Sequence, residues 1–202
     1  MDMTLRLIIR TVLATALSLL SLPALAGPGS GKTSGPYVGA EIGPVNHHFV
    51  VEEGVPPAQP TARNVSQWGV GGGVFAGYDH YVTDRIRIGG EVAFNFGGRT
   101  PATTSAAGQP LSITPRFGYS LTARAGYALS NAVIAYGGAG YGGHRYRRNL
   151  PAGTADFGDW NQSFILLGGV ELKASSRANL RLEFMHLDGT RNQVMLGIPI
   201  RF

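Results

Sequence analysis

The last stretch of the chain, residues 193–202, alternates between apolar and other side chains along its whole length. One face holds Val194, Leu196, Ile198, Ile200 and Phe202, and the opposite face holds Gln193, Met195, Gly197, Pro199 and Arg201. A period of two residues predicts a β-strand, because a helix would spread these apolar groups around its axis. An apolar strand with an unpaired edge invites aggregation in water. We therefore expect this strand to close a barrel whose outer surface faces lipid.

The composition agrees with a membrane barrel and excludes cysteine-based sites. Charged residues make up 14% of the 202 residues, against about 25% in typical soluble domains. Glycine occurs 30 times, about twice its usual frequency of roughly 7%. Cysteine is absent, which excludes a disulfide framework and a thiolate metal site.

The first 26 residues have the features of a cleaved secretory signal. Arg6 and Arg10 make the start positive, an uncharged apolar run follows, and Ala24-Leu25-Ala26 has the small-x-small form that signal peptidase reads. The alternative is a membrane-anchoring helix, which needs about 20 apolar residues and therefore more than this run provides. The expected divisions are a signal peptide at 1–26, a flexible periplasmic lead-in at 27–36 and an outer-membrane β-barrel at 37–202.

Alternating segments upstream of the last stretch predict seven more strands, which makes eight in all. The predicted strands lie at 37–45, 68–79, 85–97, 111–127, 132–143, 160–173, 179–187 and 193–202. The connections between them alternate between long and short, with a modest last one, and outer-membrane barrels likewise have long loops on one side and short turns on the other. The sequence therefore predicts an all-β fold, an eight-stranded antiparallel up-and-down transmembrane β-barrel with both termini in the periplasm.

The alternation assigns most charged side chains of these strands to the inner face of the barrel. In the strand at 111–127, Leu111, Ile113 and Phe117 are expected outside, whereas the register of 132–143 is ambiguous. The full inward set is Glu41, Arg87, Glu91, Arg116, Arg124, Glu171, Arg181, Glu183 and Arg201. A barrel of eight strands is just wide enough for side chains to fill. We therefore expect paired charges in a closed lumen, which excludes a wide porin.

Four segments carry a resemblance to a known family. They are Tyr37-Val-Gly-Ala-Glu-Ile-Gly43, Gly77-Tyr78, Leu180-Arg-Leu-Glu-Phe184 and the end of the chain from Gly197 to Phe202. Together they resemble the OmpA/OmpX-type family of small outer-membrane β-barrels, in the barrel domain only. The resemblance implies the outer membrane of a Gram-negative cell and makes Phe202 an assembly signal for the outer-membrane barrel assembly machinery. We expect a monomer without a cofactor, a bound metal or a nucleic-acid partner.

A basic cluster begins the predicted loop that follows the fifth strand. It consists of His144, Arg145, Arg147 and Arg148. The planar fork of arginine suits phosphate, and the outer leaflet of such a membrane is lipopolysaccharide, which is rich in phosphate. We expect Arg145, Arg147 and Arg148 to contact lipopolysaccharide phosphate. The alternative is a solvated group of loop charges, partly balanced by Asp156 and Asp159.

Two further patterns suggest ligand sites but lack the necessary context. Gly138-Ala-Gly-Tyr-Gly-Gly143 matches the dinucleotide pattern G-x-G-x-x-G, yet a basic segment follows it where that motif requires an apolar helix. The pairs His47-His48 and Glu52-Glu53 could ligate a metal. They fall in a predicted proline-rich loop at 46–67 with no visible second shell, so they are interpreted as flexible loop residues.

The expected function is a structural or surface-interaction role, without catalysis. One alternative is an outer-membrane lipid-modifying hydrolase of the lipid A deacylase kind, using His186 and Asp188 with Ser120 or Ser163, although no nucleophile motif supports it. A second alternative is a narrow channel for small solutes. A soluble lipocalin-type barrel would instead place its apolar side chains inside. Aromatic belts at the membrane interfaces are expected from Trp68, Tyr119, Tyr127, Tyr136, Tyr141, Tyr146 and Trp160.

Overall fold

The computed structural model describes residues 34–53, 61–104, 108–149, 160–187 and 189–202. The predicted signal peptide and most of the lead-in lie outside these residues. The strands are β1 Gly35–Glu53, β2 Thr61–Tyr81, β3 Ile86–Gly97, β4 Ala102–Thr104, β5 Pro110–Ala128, β6 Val133–Asn149, β7 Trp160–Lys173, β8 Asn179–Leu187 and β9 Arg191–Arg201. Within the described part of the chain, no helix has the length and apolar character to cross a membrane.

Eight of these strands form one closed antiparallel sheet, as the sequence predicts. Each strand pairs with its neighbours along the chain, β3 pairs with β5, and β1 pairs with β9 from Tyr37↔Arg201 to His47↔Arg191. The short β4 pairs only with β5 and extends one connection. The predicted bounds of 160–173 and 179–187 agree with those of β7 and β8.

The three short turns share one local design, which explains why they are tight. In each turn a hydroxyl side chain accepts hydrogen bonds from the backbone amides two and three residues further along the chain. The acceptors are Thr83, Ser130 and Ser175. Backbone bonds such as Leu129 N to Val133 O then close each turn. These turns and the ends of the barrel strands at Gly35 and Arg201 lie on one side, called here the terminal end, and the opposite side is the loop end.

Several strands continue much further toward the loop end than the sequence suggested. The predicted loop at 46–67 is wrong, because the β1–β2 ladder runs without interruption to Glu53↔Thr61. His47 is therefore a strand residue, opposite Gln67 on one side and Arg191 on the other. Similarly, β6 continues to Asn149, so His144 belongs to a strand and does not begin a loop. The ladder can continue because the prolines of the first loop all fall within 54–60.

A β-bulge in β5 reverses the inside and outside faces within that strand. The register shifts between Pro115 and Gly118, so two residues, Arg116 and Phe117, stand opposite the single residue Arg145. On the loop side of the bulge Leu111 and Ile113 point inward and are buried, which contradicts their expected outward position. The bulge also turns Arg116 outward, and this residue is exposed. The prediction of a lumenal Arg116 is therefore wrong, because an extra residue inverts the alternation.

The structure also resolves the ambiguous faces of β6. Tyr136, His144 and Tyr146 are buried on the inner side, whereas Tyr141 and Arg145 are exposed. Tyr136 and Tyr146 consequently do not belong to a membrane belt, contrary to the prediction. Three inward positions between Tyr136 and His144 are glycines, at 138, 140 and 142, so the wall contributes little side-chain volume there.

The outer face of the barrel is apolar over most of its height. In the closing strand β9, Leu196, Ile198 and Ile200 are each about half exposed, although Val194 is buried. The same pattern holds for Val70 and Val74 in β2. Other exposed apolar residues are Ile88, Val92, Phe94 and Phe96 in β3, Leu121 in β5, and Phe164 and Leu166 in β7. A soluble barrel would show the reverse arrangement, so this surface is suited to lipid.

Candidate functional site

Ionisable side chains fill much of the inner face, and their signs balance. Among the described residues, the buried acids are Glu41, Asp79, Glu91, Glu171 and Glu183, and the buried arginines are Arg87, Arg124, Arg181, Arg191 and Arg201. Unpaired charges would be costly in such a water-poor interior. Nine of these ten groups form ion pairs, and these pairs divide into two clusters.

The terminal cluster consists of Asp79, Arg87, Glu171, Asn179 and Arg201. Arg87 binds Glu171 in a bidentate manner, with Nη1–Oε1 and Nη2–Oε2 distances of 3.0 and 2.9 Å. The Nη2 of Arg201 donates to Asp79 Oδ2 at 2.7 Å and to Glu171 Oε1 at 2.8 Å, and Asn179 Nδ2 also donates to Glu171. Because these residues come from β2, β3, β7, β8 and β9, the cluster connects strands from opposite walls.

The central cluster consists of Glu41, Glu91, Arg124, Arg181 and Glu183. Arg181 on β8 donates to Glu91 Oε2 at 2.5 Å and to Glu41 Oε2 at 3.1 Å. Arg124 on β5 donates to Glu183 Oε2 at 2.7 Å and to Glu91 Oε1 at 2.5 Å. Glu91 therefore accepts from both arginines and joins them into one network. The network reaches from β1 and β3 across the interior to β8.

Neutral groups complete the hydrogen bonding of the central cluster. Tyr136 Oη donates to Glu183 Oε2 at 2.7 Å, Tyr37 Oη donates to Glu91 Oε2 at 3.0 Å, and Asn95 Nδ2 donates to Glu41 Oε1 at 3.0 Å. Two glycines make room for this set. A Cβ on Gly73 would lie 2.6 Å from Asn95 Nδ2, and one on Gly169 would lie 2.6 Å from Tyr136 Oη. The inward glycines therefore leave the space in the lumen that the charged and phenolic side chains occupy.

The loop-end cluster consists of His47, His144, Tyr146, Arg191 and Gln193, all of them buried. Arg191 donates through Nε to Gln193 Oε1 at 3.0 Å and through Nη1 to His144 Nδ1 at 2.9 Å. Tyr146 Oη and His47 Nδ1 are 3.1 Å apart. Further toward the loops an apolar layer packs across the interior, and it consists of Phe49, Val51, Val65, Leu111 and Ile113 together with Tyr146.

A polar cavity of about 340 Å³ opens at the terminal end. Arg87, Glu171 and Arg201 of the terminal cluster line it from inside the barrel, and Arg85 and Lys173 line it nearer the turns. The cavity is a recess in the mouth of the barrel, since the terminal cluster bounds it on the inner side.

The sequence matches the family described as the outer membrane protein beta-barrel domain over residues 12–196. The chain belongs to this family. Among solved structures, this outer-membrane barrel is similar to OprG from Pseudomonas aeruginosa, with 10% identity, a TM-score of 0.52, and coverage of 86% of this chain and 99% of that one. Ail of Yersinia pestis has 16% identity, a TM-score of 0.47, and coverage of 83% and 99%. A search of curated proteins found no match. At these identities the likeness supports the fold alone.

The exterior of this outer-membrane barrel carries an aromatic group next to exposed arginines. Trp160 lies edge-on to Phe117 with ring centroids 5.5 Å apart, and it is 5.8 Å from Tyr119. Arg145 is paired with Trp160 across the β6–β7 ladder and stands opposite Arg116 at the bulge. Of the predicted phosphate-contacting residues, Arg145 and Arg147 are exposed on β6, and the side chain of Arg148 lies outside the described residues.

The remaining candidate residues are not brought together. His186 Nδ1 bonds Asn192 Oδ1 at 2.6 Å, and Asp188 lies outside the described residues. Gly138 and Gly143 are part of β6, so no phosphate-binding turn forms there. Across the part of the chain that the structure describes, no group of three His, Asp or Glu side chains is arranged to hold a metal ion.

Two charged members of the interior were missed by the sequence interpretation, although both follow the parity of strands that it identified. Asp79 shares the face of Phe75 and Gly77 in β2, two residues beyond the latter. Arg191 shares the face of Gln193 and Arg201 in β9. Extending each alternation by one step predicts both residues. His47 follows the same parity, one step beyond Val45 in β1, and it was missed because 46–67 was interpreted as a loop.

We predict that Glu183→Leu lowers the free energy of unfolding by about 3–5 kcal/mol, because it removes one of the two carboxylates that pair with the buried Arg124 and also the acceptor of Tyr136 Oη. The double variant Arg124→Leu/Glu183→Leu should recover part of that loss, because it removes both charges together. Urea titration of protein refolded into lipid vesicles measures both values. Exposed Arg177→Gln is the control and should stay within about 0.5 kcal/mol of the wild type. A double variant less stable than the single one would contradict this account of the pair.

Proposed function

We propose that this protein is a structural outer-membrane barrel with a lumen closed by its own side chains, which presents its loop end at the cell surface. The observation that carries the proposal is Arg181, whose guanidinium on β8 bonds Glu41 on β1 and Glu91 on β3 across the interior. A barrel of eight strands leaves room for little besides such side chains. It acts as a monomer, which fits a sheet that is closed on itself through the pairing of β1 with β9.

Three successive layers support a closed lumen. The terminal cluster and the central cluster are networks of ion pairs, and the apolar layer around Leu111 and Tyr146 follows them toward the loops. An ion that moved through the barrel would have to displace bonded arginines and then cross a dry apolar section. A narrow solute channel is therefore not favoured, although the cavity at the terminal end provides an open mouth.

Catalysis is not part of the proposal. A lipid hydrolase of the serine type requires a nucleophile within hydrogen-bond reach of its base. The candidate base His186 instead bonds Asn192 through Nδ1, and Ser120 is a buried residue of the inner face of β5. No observation on the described residues favours a hydrolytic site over the structural role.

We expect planar bilayers that contain the wild-type protein to show no conductance steps of the size given by a wide porin, because the charged and apolar layers block the interior. A trimeric general porin recorded under the same salt conditions is the positive control. Correct insertion of the barrel should be checked by its altered gel mobility before boiling. Porin-sized steps from the inserted wild type would reject the closed lumen.

We propose further that exposed arginines near the loop end contact lipopolysaccharide phosphate. The arginines Arg116, Arg145 and Arg147 are exposed on neighbouring strands. Arg145 and Arg116 are at the height of Trp160, and Arg147 lies two residues further toward the loops. Aromatic side chains of such barrels lie at the membrane interface, so arginines at that height and just beyond it stand at the level of the headgroups. Clustered guanidinium groups favour phosphate oxygens. We extend the same contact to Arg148, whose side chain lies outside the described residues.

We predict that Arg116→Gln/Arg145→Gln reduces several-fold the amount of lipid A that stays bound to the purified protein. The matched control, Arg85→Gln/Arg177→Gln, removes two exposed arginines at the terminal end and should retain as much as the wild type. The measurement is phosphate per protein after incubation with diphosphorylated lipid A and gel filtration in detergent. Equal retention by the two double variants would remove the phosphate contact from the proposal.

Assembly is the last part of the proposal, in which Phe202 is read by the barrel assembly machinery. Phe202 follows β9, and its side chain is exposed at the terminal end, where a receptor can reach it. Burial of a Phe-sized group contributes only about 1.5–3 kcal/mol, and the barrel distributes its stability over eight paired strands. The residue is therefore more important for assembly than for final stability.

We predict that deletion of Phe202 lowers the inserted fraction in cells while the same variant still refolds in detergent to a heat-modifiable barrel. Ile198→Arg is the contrasting variant and should reduce both, because a charge on the lipid face costs about 2–4 kcal/mol near the midplane. Membrane fractionation and in vitro refolding are measured side by side. Normal insertion of the deletion variant in cells would show that this phenylalanine is not an assembly signal here.

A further inference from the structure

The cavity at the terminal end is large enough to hold a small molecule. Its volume is about 340 Å³, whereas one water molecule needs only about 10–15 Å³ and small-molecule sites begin at roughly 300 Å³. The cavity opens through the mouth of the barrel toward the side that is predicted to be the periplasm, and the terminal cluster forms its floor. The structural role proposed above makes no use of this space.

Cations outnumber acids in the wall of this cavity. The wall contains four cations and two acids, which are Arg85, Arg87, Lys173, Arg201, Asp84 and Glu171. One further acid, Asp79, lies behind the floor and pairs with Arg87 and Arg201. The cations exceed the acids even when Asp79 is included, so the electrostatic potential of the cavity favours an anion.

The acid in the floor has no free acceptor for a bound cation. Glu171 accepts from both Nη atoms of Arg87, at 3.0 and 2.9 Å. Its Oε1 also accepts from Arg201 Nη2 at 2.8 Å and from Asn179 Nδ2. Two guanidinium groups therefore neutralise this carboxylate and occupy its lone pairs. The floor does not repel an anion, and the same saturation disfavours a metal cation.

Backbone hydrogen bonds of the turn between β5 and β6 bring three donors of the rim together. On one side of this turn, Ala128 N donates to Arg85 O at 2.8 Å. On the other side, Lys173 N donates to Ala132 O at 2.8 Å. Ser130 lies in the turn between these two attachments, and all three side chains line the cavity. A single ligand in the cavity is therefore flanked by Arg85, Ser130 and Lys173.

The hydrogen bonds already made at the rim leave donors for a ligand. Ser130 Oγ accepts from Ala132 N at 3.2 Å and from Val133 N at 3.1 Å. A hydroxyl has two acceptor positions and one donor, so the O–H of Ser130 is the group left over. Arg85 Nη1 donates to Tyr127 Oη at 3.1 Å. That bond holds the guanidinium at the rim and uses one of its five N–H groups.

We propose that this cavity binds a small phosphomonoester. The phosphate oxygens accept from Arg85, Ser130 and Lys173, and the polar remainder of the molecule lies beside Asn131 and Asn179. Guanidinium, hydroxyl and ammonium donors on three sides suit the three oxygens of a phosphate better than the two of a carboxylate. Lipid A does not compete for this site, because its acyl chains stay against the outer wall and the cavity lies inside the barrel.

NMR spectra of the isotopically labelled protein in a maltoside detergent, which contains no phosphate, test the site. At low and constant ionic strength, glycerol 3-phosphate should shift the backbone amide signals of Ser130, Asn131 and Ala132 until they saturate. Glycerol, which lacks the phosphate, should shift none of them. The inference is overturned if these signals do not saturate, or if equal shifts appear around exposed arginines of the loop end such as Arg147.

A carboxylate probe tests the chemical class of the ligand. Acetate should bind several-fold more weakly than methyl phosphate in the same titration, because it offers two oxygens to the three donors. Equal affinity for the two anions would overturn the assignment to phosphate.

Variants of the rim identify the residues that hold the phosphate. Arg85→Gln/Lys173→Gln should weaken the binding of glycerol 3-phosphate about tenfold or more, because two charge-assisted hydrogen bonds are lost. The matched control, Arg116→Gln/Arg145→Gln, removes two arginines near the loop end and should bind as the wild type does. Wild-type affinity in the rim variant, or an equal loss in both, overturns the site.

A variant with the opposite expected effect excludes a loss of binding through misfolding. Asp84→Asn removes an acid from the wall and keeps every cation. It should tighten the binding of glycerol 3-phosphate several-fold at low ionic strength, because the potential of the cavity becomes more positive. Altered gel mobility before boiling confirms that each variant forms a closed barrel. Unchanged or weaker binding by Asp84→Asn overturns the electrostatic basis of the site.

Discussion

The pairing of β1 with β9 is the constraint on which the rest of the structure depends. This ladder, from Tyr37↔Arg201 to His47↔Arg191, closes the sheet, so over that height the first and last strands have no unpaired edge. In hydrocarbon an open edge would expose backbone groups that water cannot satisfy. Closure after eight strands also fixes the interior at a width of a few side chains. This narrow width limits which residues can line the interior, because each inward polar side chain must find its hydrogen-bonding partners within the barrel.

The ion pairs meet this requirement by crossing the interior in preference to lying along the wall. Arg124 on β5 reaches Glu183 on β8, and Arg87 on β3 reaches Glu171 on β7. Each carboxylate of the central cluster also accepts from a neutral donor, such as Tyr136 Oη on Glu183. Pairing of this kind offsets desolvation without necessarily adding stability over an apolar interior. The ion pairs instead contribute specificity, because only one register of the strands can bring all of these partners together.

The sequence predicted the bounds of strands correctly where alternation and turn chemistry agreed. The bounds of β7 and β8 follow from alternating segments on either side of a turn that Ser175 stabilises. Proline-rich composition misled the interpretation of 46–67, because the prolines occupy only its middle and the ladder continues to Glu53 on one side and from Thr61 on the other. For the loop-end cluster, the alternation of β9 indicates that Arg191 and Gln193 point inward, but the approach of His47 and His144 depends on strand extensions that become visible only in pairings such as His47 with Arg191.

The bulge in β5 has two structural consequences that the alternation of the sequence did not reveal. Both segments of β5 alternate regularly, so alternation alone does not show that their phases differ by one residue; the one local sign is Pro115, because sheets tolerate proline at bulges. The extra residue turns Leu111 and Ile113 into the interior, where they complete the apolar layer. It also turns Arg116 to the outside, opposite Arg145. A single inserted residue therefore produces an arginine pair on the surface at the bulge and an apolar layer across the lumen on the loop side of it.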